Sequence, residues 1–315
     1  MKGKVCVVMP LYRNKDTLPR ALESIFSQDY EGDIEVLLMF DDPHDGTKEV
    51  ALECAKRYEG KVRLIEEGAP FFLGGARAKA IPYIDGDYVY SLDADDELLP
   101  GALSLLTKVL RDTGADMVNA SYVEVKGEKR RPYFFAKDAT YTGESAVGAL
   151  LQDASFRSFL WAKLFKRELL DSRPLAILQG KGVMFEDLSF VASLLLGAKK
   201  VVSIAKPVVA YHLDVATSSS TEERKDRTLR HLAAFALTRL VLEKANRPKA
   251  LRAFFAHKLR TYLSYRYDVS RDKKAGASQD YFAQMKALFG RLYQKGALDV
   301  KGTLLEPLLE GAFIS

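Results

Sequence analysis

The chain has 315 residues, 48% of them apolar, enough for one large or two modest domains around a real hydrophobic core. Two cysteines, Cys6 and Cys54, are too few for a disulfide framework and have no metal-site spacing, so a reducing compartment is expected. The net charge of +5 divides unevenly: residues 221–315 carry 19 Lys and Arg against 10 Asp and Glu, a net +9, and residues 1–220 carry 28 against 32, a net −4.

The first hundred residues alternate short apolar runs with helical patterns. "VCVVMP" and "IEVLLMF" are continuous and rich in β-branched residues, as strands buried on both faces should be. Between them Leu18, Ala21, Leu22, Ile25 and Phe26 recur at helical spacing behind Asp16 or Thr17 as a cap, with Pro19 in the first turn. A second helix follows Asp45 or Thr47 with Val50, Ala51, Cys54, Ala55 and Tyr58 inward. "KVRLIE" reads as a third strand, the region after "LGGARAKA" as a third helix, and "DYVYSLD" as a fourth strand. Gly74 and Gly75 are expected to serve a tight turn. The fold class is therefore α/β, a Rossmann-like, mostly parallel sheet flanked by helices.

Open α/β sheets bind ligands at the carboxyl ends of their strands. Three strands here end in polar chemistry: "PLYRN" after the first, "DDPHDGT" after the second and "DADDE" after the fourth. There is no G-x-G-x-x-G behind the first strand and no G-x-x-x-x-G-K-[ST] anywhere, which disfavours a dinucleotide or P-loop site. Asp93, Asp95 and Asp96 repel one another unless solvent or a cation takes up their charge. Asp93 and Asp95 offer hard oxygen ligands suited to Mg²⁺ or Mn²⁺.

At this point the sequence resembles the family-2 inverting glycosyltransferases with the A-type fold. The resemblance runs from about residue 3 to 220 through "VCVVMPLYRN", "FDDPHDGT", "GGARAKA", "SLDADDELLPGAL", "WAKLFKRELL", "FEDLSF" and "AYHLDVATSSS". It implies a catalytic domain over 1–220 and transfer of a sugar from a nucleoside-diphosphate donor, UDP-linked, to a glycan or lipid-linked acceptor. It also implies a divalent cofactor, Mn or Mg. "DAD" corresponds to the Asp-X-Asp signature, with Asp95 the metal ligand and Asp93 near the ribose. Asp42 or Asp41 faces the base beside Pro10 and Tyr12, and Arg77 lies near the diphosphate. Glu186 and Asp187 match the Glu-Asp motif, whose aspartate is the catalytic base. His212 falls where some relatives supply a metal or phosphate contact. Departures from the family pattern stand at Arg13, at two extra residues within "DDPHDGT", and at Ala78 and Ala80.

The chemistry asks for the same residue types. A departing diphosphate gains negative charge that a divalent ion can stabilise, and an acceptor hydroxyl needs a positioned carboxylate to take its proton. Displacement from the face opposite the nucleotide inverts the anomeric centre. Plainer readings stand beside these: Glu186 and Asp187 as first-turn acids on "EDLSFVASLLLG", His212 as a packed histidine, and Trp161 as core rather than a platform for an acceptor sugar. Lys163 and Lys166 are expected on the solvated side. A haloacid-type phosphatase would need Thr or Val where Glu97 stands, and "DADDELLPG" lacks the spaced ligands of a calcium loop. A non-catalytic sugar-nucleotide or glycan binder is the alternative that donor hydrolysis would separate.

"VVSIAKPVVAYHL" reads as a strand closing the site, after which residues 221–315 become helical. Ser220 and Glu223 form a capping box for the first of three amphipathic helices. This basic appendage could meet a membrane, an acceptor or a second copy of the chain. No window approaches the ~18 apolar residues of a membrane span, and Pro10 interrupts the opening run before it can act as a signal peptide. The expectation is a cytoplasmic protein without a nucleic-acid partner, peripheral at most to the inner face of a membrane.

Overall fold

The computed structural model describes residues 3–40, 44–66, 72–133, 135–152, 155–171 and 186–214, with short stretches between 234 and 283. Strands β1 (Val5–Leu11), β2 (Ile34–Phe40), β3 (Val62–Glu66) and β4 (Tyr88–Ser91) alternate with helices α1 (Leu18–Phe26), α2 (Thr47–Arg57) and α3 (Phe72–Ala80). After β4 come β5 (Glu97–Leu98), α4 (Ala102–Thr113), β6 (Met117–Lys126), β7 (Lys129–Tyr133), β8 (Ala139–Tyr141), α5 (Gly143–Gln152), β9 (Lys163–Lys166), α6 (Glu186–Gly197) and β10 (Val201–His212). They form one sheet in the order β3-β2-β1-β4-β9-β6-β10-β5, with β7 on β6 and β8 on β10. Strands β1 to β4 are mutually parallel where they pair, and β9 enters antiparallel between β4 and β6.

Alternation along β1 sorts its side chains between two layers. Val5, Val7, Met9 and Leu11 join the core with α1, α2 and α4, whereas Cys6 and Val8 join the core with α3, α5 and α6. Both faces are covered, which is why β1 and β2 read as unbroken apolar runs. Leu242 and Ala250 also pack into the second core, so part of the region beyond 220 contacts the layer of α3, α5 and α6. The rest of the predicted appendage, with the Ser220–Glu223 capping box, lies outside the described residues.

The third helix is α3 itself, not the region after it: "FLGGARAKA" is helical, Gly74 and Gly75 lie within it, and the chain passes into a single 3₁₀ turn at Ile81–Tyr83. Pro82 explains the stop, since its ring cannot continue α-helical hydrogen bonding. The predicted caps are also modified. Thr17 occupies the N-cap of α1 without a side-chain bond, and the N-cap of α2 is Gly46, whose φ of 91° suits glycine; Asp45 instead accepts from the Thr47 amide and hydroxyl. Among the described residues no helix is long and apolar enough to cross a membrane.

Strand order reverses between β1 and β4, the kind of position at which open α/β sheets bind ligands. The two strands pair from Val5–Tyr88 to Val8–Ser91; Leu92 then donates its amide to the Val8 carbonyl at 3.1 Å. Pro10, two residues beyond Val8, turns its missing N–H toward the same side, where β4 has already left. A proline in a central strand is tolerated at such a position.

Candidate active site

The turn leaving β4 carries Asp93, Asp95 and Asp96, and the Asp96 amide closes it on the Asp93 carbonyl at 3.0 Å. Each carboxylate offers one oxygen to a group lying within 4.8 Å of one another. Three neighbouring elements hold the turn. From α1, Arg20 donates Nη2 to the Asp95 carbonyl at 2.8 Å and forms an ion pair with Glu97, Nε to Oε1 at 3.2 Å. From β10, the His212 amide donates to Asp96 Oδ1 at 2.9 Å while its Nε2 lies 2.6 Å from Glu97 Oε1. From α3, Arg77 reaches Asp93.

Arg77 is 3% exposed; its Nε donates to Ser91 Oγ at 3.1 Å, Nη2 to Asp93 Oδ1 at 2.7 Å and Nη1 to Asp187 Oδ1 at 2.8 Å. One cation thus joins the aspartate at the end of β4 to the aspartate that opens α6. The arginine expected near the diphosphate joins two acids. A buried guanidinium is stable there because both carboxylates compensate its charge.

Burial, with the charge of Asp93 beside it, pushes the Asp95 carboxyl up to about 6. Asp96 is fully buried and is raised well above the carboxylate range by that burial and then by Asp95 and Asp93; the His212 amide opposes this. Its Oδ2 has no hydrogen-bond partner. Hard oxygen donors crowded at the crevice mouth, one with an unsatisfied buried oxygen, fit a divalent cation such as Mn²⁺ or Mg²⁺. The His212 ring rests on Glu97 and stands outside this carboxylate group. Burial lowers its basicity, as does Arg20, while Glu97 restores part of it.

Asp187 sits at the N-terminus of α6, as the sequence predicts, but it is more than a solvated first-turn acid. Its side chain is 18% exposed, and burial raises its carboxyl; Arg77 opposes this, Asp93 adds to it, and Lys163 and the Leu160 amide again oppose it. Glu186 opens the same helix. Tyr12 is 43% exposed beyond β1, with the Arg13 guanidinium 5.1 Å from its ring centre and its amide bonded to Asn14 Oδ1 at 2.7 Å. Arg13, the departure in the motif, has φ of 59°. Asp41 and Asp42 lie outside the described residues.

Trp161 is 4% exposed, stacked by Phe159 at 4.7 Å and by Tyr211 at 5.4 Å, with Tyr122 edge-on at 5.0 Å. Its ring is therefore core, as the plainer reading had it; the part-exposed members of the cluster are Phe159 and Tyr211. Its carbonyl accepts the hydroxyl of the buried Tyr90. The expectation for Lys163 is overturned: it is fully buried at the start of β9, its Nζ bonded to the Phe159 carbonyl and 5.0 Å from the Phe156 ring. Lys166 is half-buried on Asp116 at 2.9 Å. The sequence carried a signal for Lys163, a lone lysine within the apolar run "LWAKLF", whose neighbours on both sides are buried.

The sequence profile of glycosyl transferase family 2 matches residues 6–175, more than half of the chain. The chain belongs to glycosyl transferase family 2. Among curated members of such enzymes it is 27% identical over 214 residues to a cholesterol galactosyltransferase of Borreliella burgdorferi, covering 64% of this chain and 57% of the relative. It is 28% identical over 176 residues to a poly(ribitol-phosphate) β-N-acetylglucosaminyltransferase of Staphylococcus aureus, covering 53% and 50%. The chain thus spans about half the length of these relatives. A solved structure of TarS residues 1–349 from S. aureus with UDP-GlcNAc superposes with a TM-score of 0.73 at 18% identity, covering 98% of this chain and 87% of that one. A Pyrobaculum calidifontis mannosyltransferase with GDP-Man and Mn²⁺ gives 0.51 at 18% identity, covering 99% and 86%. The family-2 chain therefore has the expected A-type fold.

Proposed function

We propose that the protein is a metal-dependent, inverting glycosyltransferase that moves a sugar from a UDP-linked donor to a hydroxyl of a glycan or lipid-linked acceptor in surface polysaccharide or glycoconjugate synthesis. The observation that carries this reading is the Arg77 guanidinium, which bonds both Asp93 of the Asp-X-Asp turn and Asp187. UDP-GlcNAc in the TarS structure supports the choice of donor, and Mn²⁺ in the mannosyltransferase supports the cofactor.

Asp95 and Asp93 would hold the cation, with Asp96 behind them, and when bound it would offset the charge developing on the departing diphosphate. Tyr12, at the exposed end of β1, presents a ring to the base. Asp187 accepts the proton of the acceptor hydroxyl, a role its burial favours because a more basic carboxylate is the better acceptor, worth roughly 10² to 10⁴ in rate. Arg77 fixes the direction of Asp187 and opposes the effect of burial on its carboxyl. Acceptor sugar would meet the part-exposed Phe159 and Tyr211 at the edge of the aromatic cluster.

Titrating UDP, GDP and CDP into the protein by calorimetry, with Mn²⁺ and with chelator, tests the donor and cofactor together. Metal-dependent binding of UDP alone is the expected result; no binding of any of the three would sink the reading. For the base, Asp187→Asn should keep UDP affinity within a few-fold while transfer collapses, and undiminished transfer would remove Asp187 from that role.

A further inference from the structure

We infer that the β6–β7 hairpin guides a negatively charged acceptor, a glycan strand whose phosphate or carboxylate groups meet its lysines and arginines while a neighbouring sugar rests on the aromatic cluster. The inference rests on the reading of the protein as a glycosyltransferase and names the class of its acceptor. Residues 124–131 carry Lys126, Lys129, Arg130 and Arg131 against Glu124 and Glu128, four cations to two acids, a net +2. All four cations are exposed, and none is ion-paired among the described residues. The hairpin stands at the working edge of the sheet. Strand β9 runs antiparallel to both β4 and β6, so β6 ends at the same edge as β4, where the Asp93–Asp96 turn leaves. Its tip is held there: Gly127, with φ of 56°, donates its amide to Asp214 Oδ2 just past β10.

Register joins these charges to the aromatic cluster. The pairs Tyr122–Tyr133, Glu124–Arg131 and Lys126–Lys129 share one face of the hairpin, and Tyr211 of β10 pairs with Glu124 on that face. Tyr133 stacks on Tyr122 at 5.1 Å, and Tyr211 and Phe159 each meet Tyr122 edge-on at 6.0 Å. The half-buried rings of Tyr133, Tyr211 and Phe159 therefore continue into Arg131 and Lys129. On the opposite face Arg130 is in register with Val125 and His212, two strand spacings or about 10 Å away. His212 in turn bonds Asp96 and Glu97 of the turn. Sugar faces stack on aromatic rings, and guanidinium forks match the oxygens of phosphate and carboxylate. Rings followed by cations thus suit a strand in which sugar and charge alternate. A lipid surface asks instead for an apolar face beside the cations; the exposed large apolar side chain next to this hairpin is Leu213, whose amide bonds the Val125 carbonyl at 2.9 Å.

The test is fluorescence anisotropy at low salt with three labelled oligomers: an oligogalacturonate bearing carboxylates, a glycerol-phosphate oligomer bearing phosphodiesters, and neutral maltoheptaose. The proteins are wild type, the double variant Lys129→Gln with Arg131→Gln, and a control of equal charge, Lys61→Gln with Lys199→Gln. Lys61 and Lys199 precede β3 and β10 at the opposite sheet edge, and all four side chains are exposed, so both variants should fold. Wild type should bind an anionic oligomer roughly tenfold or more tightly than maltoheptaose, with affinity falling as salt rises. The hairpin variant should lose roughly fivefold or more of that affinity and the control less than about twofold, with Mn²⁺-dependent UDP affinity unchanged in both. The oligomer preferred tells phosphate from carboxylate. Equal losses in the two variants, or no preference for the anionic oligomers, would overturn the inference. Unchanged binding in the hairpin variant would do the same, leaving Lys129 and Arg131 to blunt an edge strand. Binding to phosphatidylglycerol vesicles that fell in the hairpin variant while oligomer binding held would give the surface to lipid instead. If wild type bound no nucleotide with Mn²⁺ while hairpin-dependent oligomer binding stood, the transferase reading would fail and the anionic-glycan site would remain.

Discussion

Asp93 and Asp187, which belong to motifs far apart in the chain, share the two terminal nitrogens of one guanidinium, at 2.7 and 2.8 Å. The planar fork of Arg77 sets the distance and angle between the donor-side acid and the candidate base. A lysine is a point charge that cannot hold both at once. Removing one partner of a buried ion pair costs about 3–5 kcal/mol because the others stay buried and uncompensated. Arg77→Lys should therefore lower stability by a few kcal/mol in denaturant melts and lower kcat more than it raises the donor KM. A variant with wild-type kcat would separate the clamp from catalysis.

Asp95 carries the metal prediction. Its carboxyl is held up to about 6 by burial and by Asp93, so cation binding must displace a proton once the pH falls below that value. Affinity for UDP with Mn²⁺ should decline as pH drops from 7 to 5, and Asp95→Asn should abolish the metal dependence at every pH. Calorimetry in two buffers of different ionisation enthalpy reads the released proton directly. Unchanged metal-dependent affinity in Asp95→Asn would remove the residue from the site.

The sequence made the parallel half of the sheet legible because strands covered on both faces are unbroken apolar runs, and the Asp-X-Asp turn because charge at a strand exit contradicts its surroundings. It did not reveal β9. That strand is four residues long, carries two lysines, and pairs antiparallel between β4 and β6; local pattern has no means of specifying partners so distant. The same blindness affected Trp161, whose ring faces are taken by Phe159 and Tyr211. Arg77 was found by motif, but its direction depends on Asp187, which a distant segment delivers.

Lys163 also leaves a thermodynamic trace. Burial pulls its ammonium down to about 7, against the attraction of Asp187, from an ordinary value of 10.5. Between those values the unfolded chain holds a proton that the folded one has lost, so this residue makes stability rise with pH, with a slope of up to about 1.4 kcal/mol per pH unit. Below 7 both states are protonated and the slope vanishes. The stability difference between wild type and Lys163→Met, measured by urea melts from pH 6 to 9, should be flat to about 7 and then shift in favour of wild type. A difference independent of pH would show that the lysine keeps its proton throughout.

Two glycines of α5 offer a matched pair for the packing of the catalytic layer. A Cβ on Gly143 would lie 2.1 Å from the Leu195 carbonyl oxygen and 2.3 Å from that of Ala198, both backbone atoms at the end of α6; one on Gly148 meets nothing within 4 Å. Neither has positive φ, so each substitution by alanine gains the helix propensity of about 1 kcal/mol. At Gly148 that gain should appear as raised stability. At Gly143 the added methyl must push α5 and α6 apart, an overpacking cost of about 1–3 kcal/mol or more that outweighs the gain. Because α6 carries Asp187 at its other end, Gly143→Ala should lower kcat as well as Tm, while Gly148→Ala leaves kcat unchanged. Thermal melts and initial rates on the two variants decide it, and a Gly143→Ala protein as stable as wild type would show that the two helices are not held at this contact.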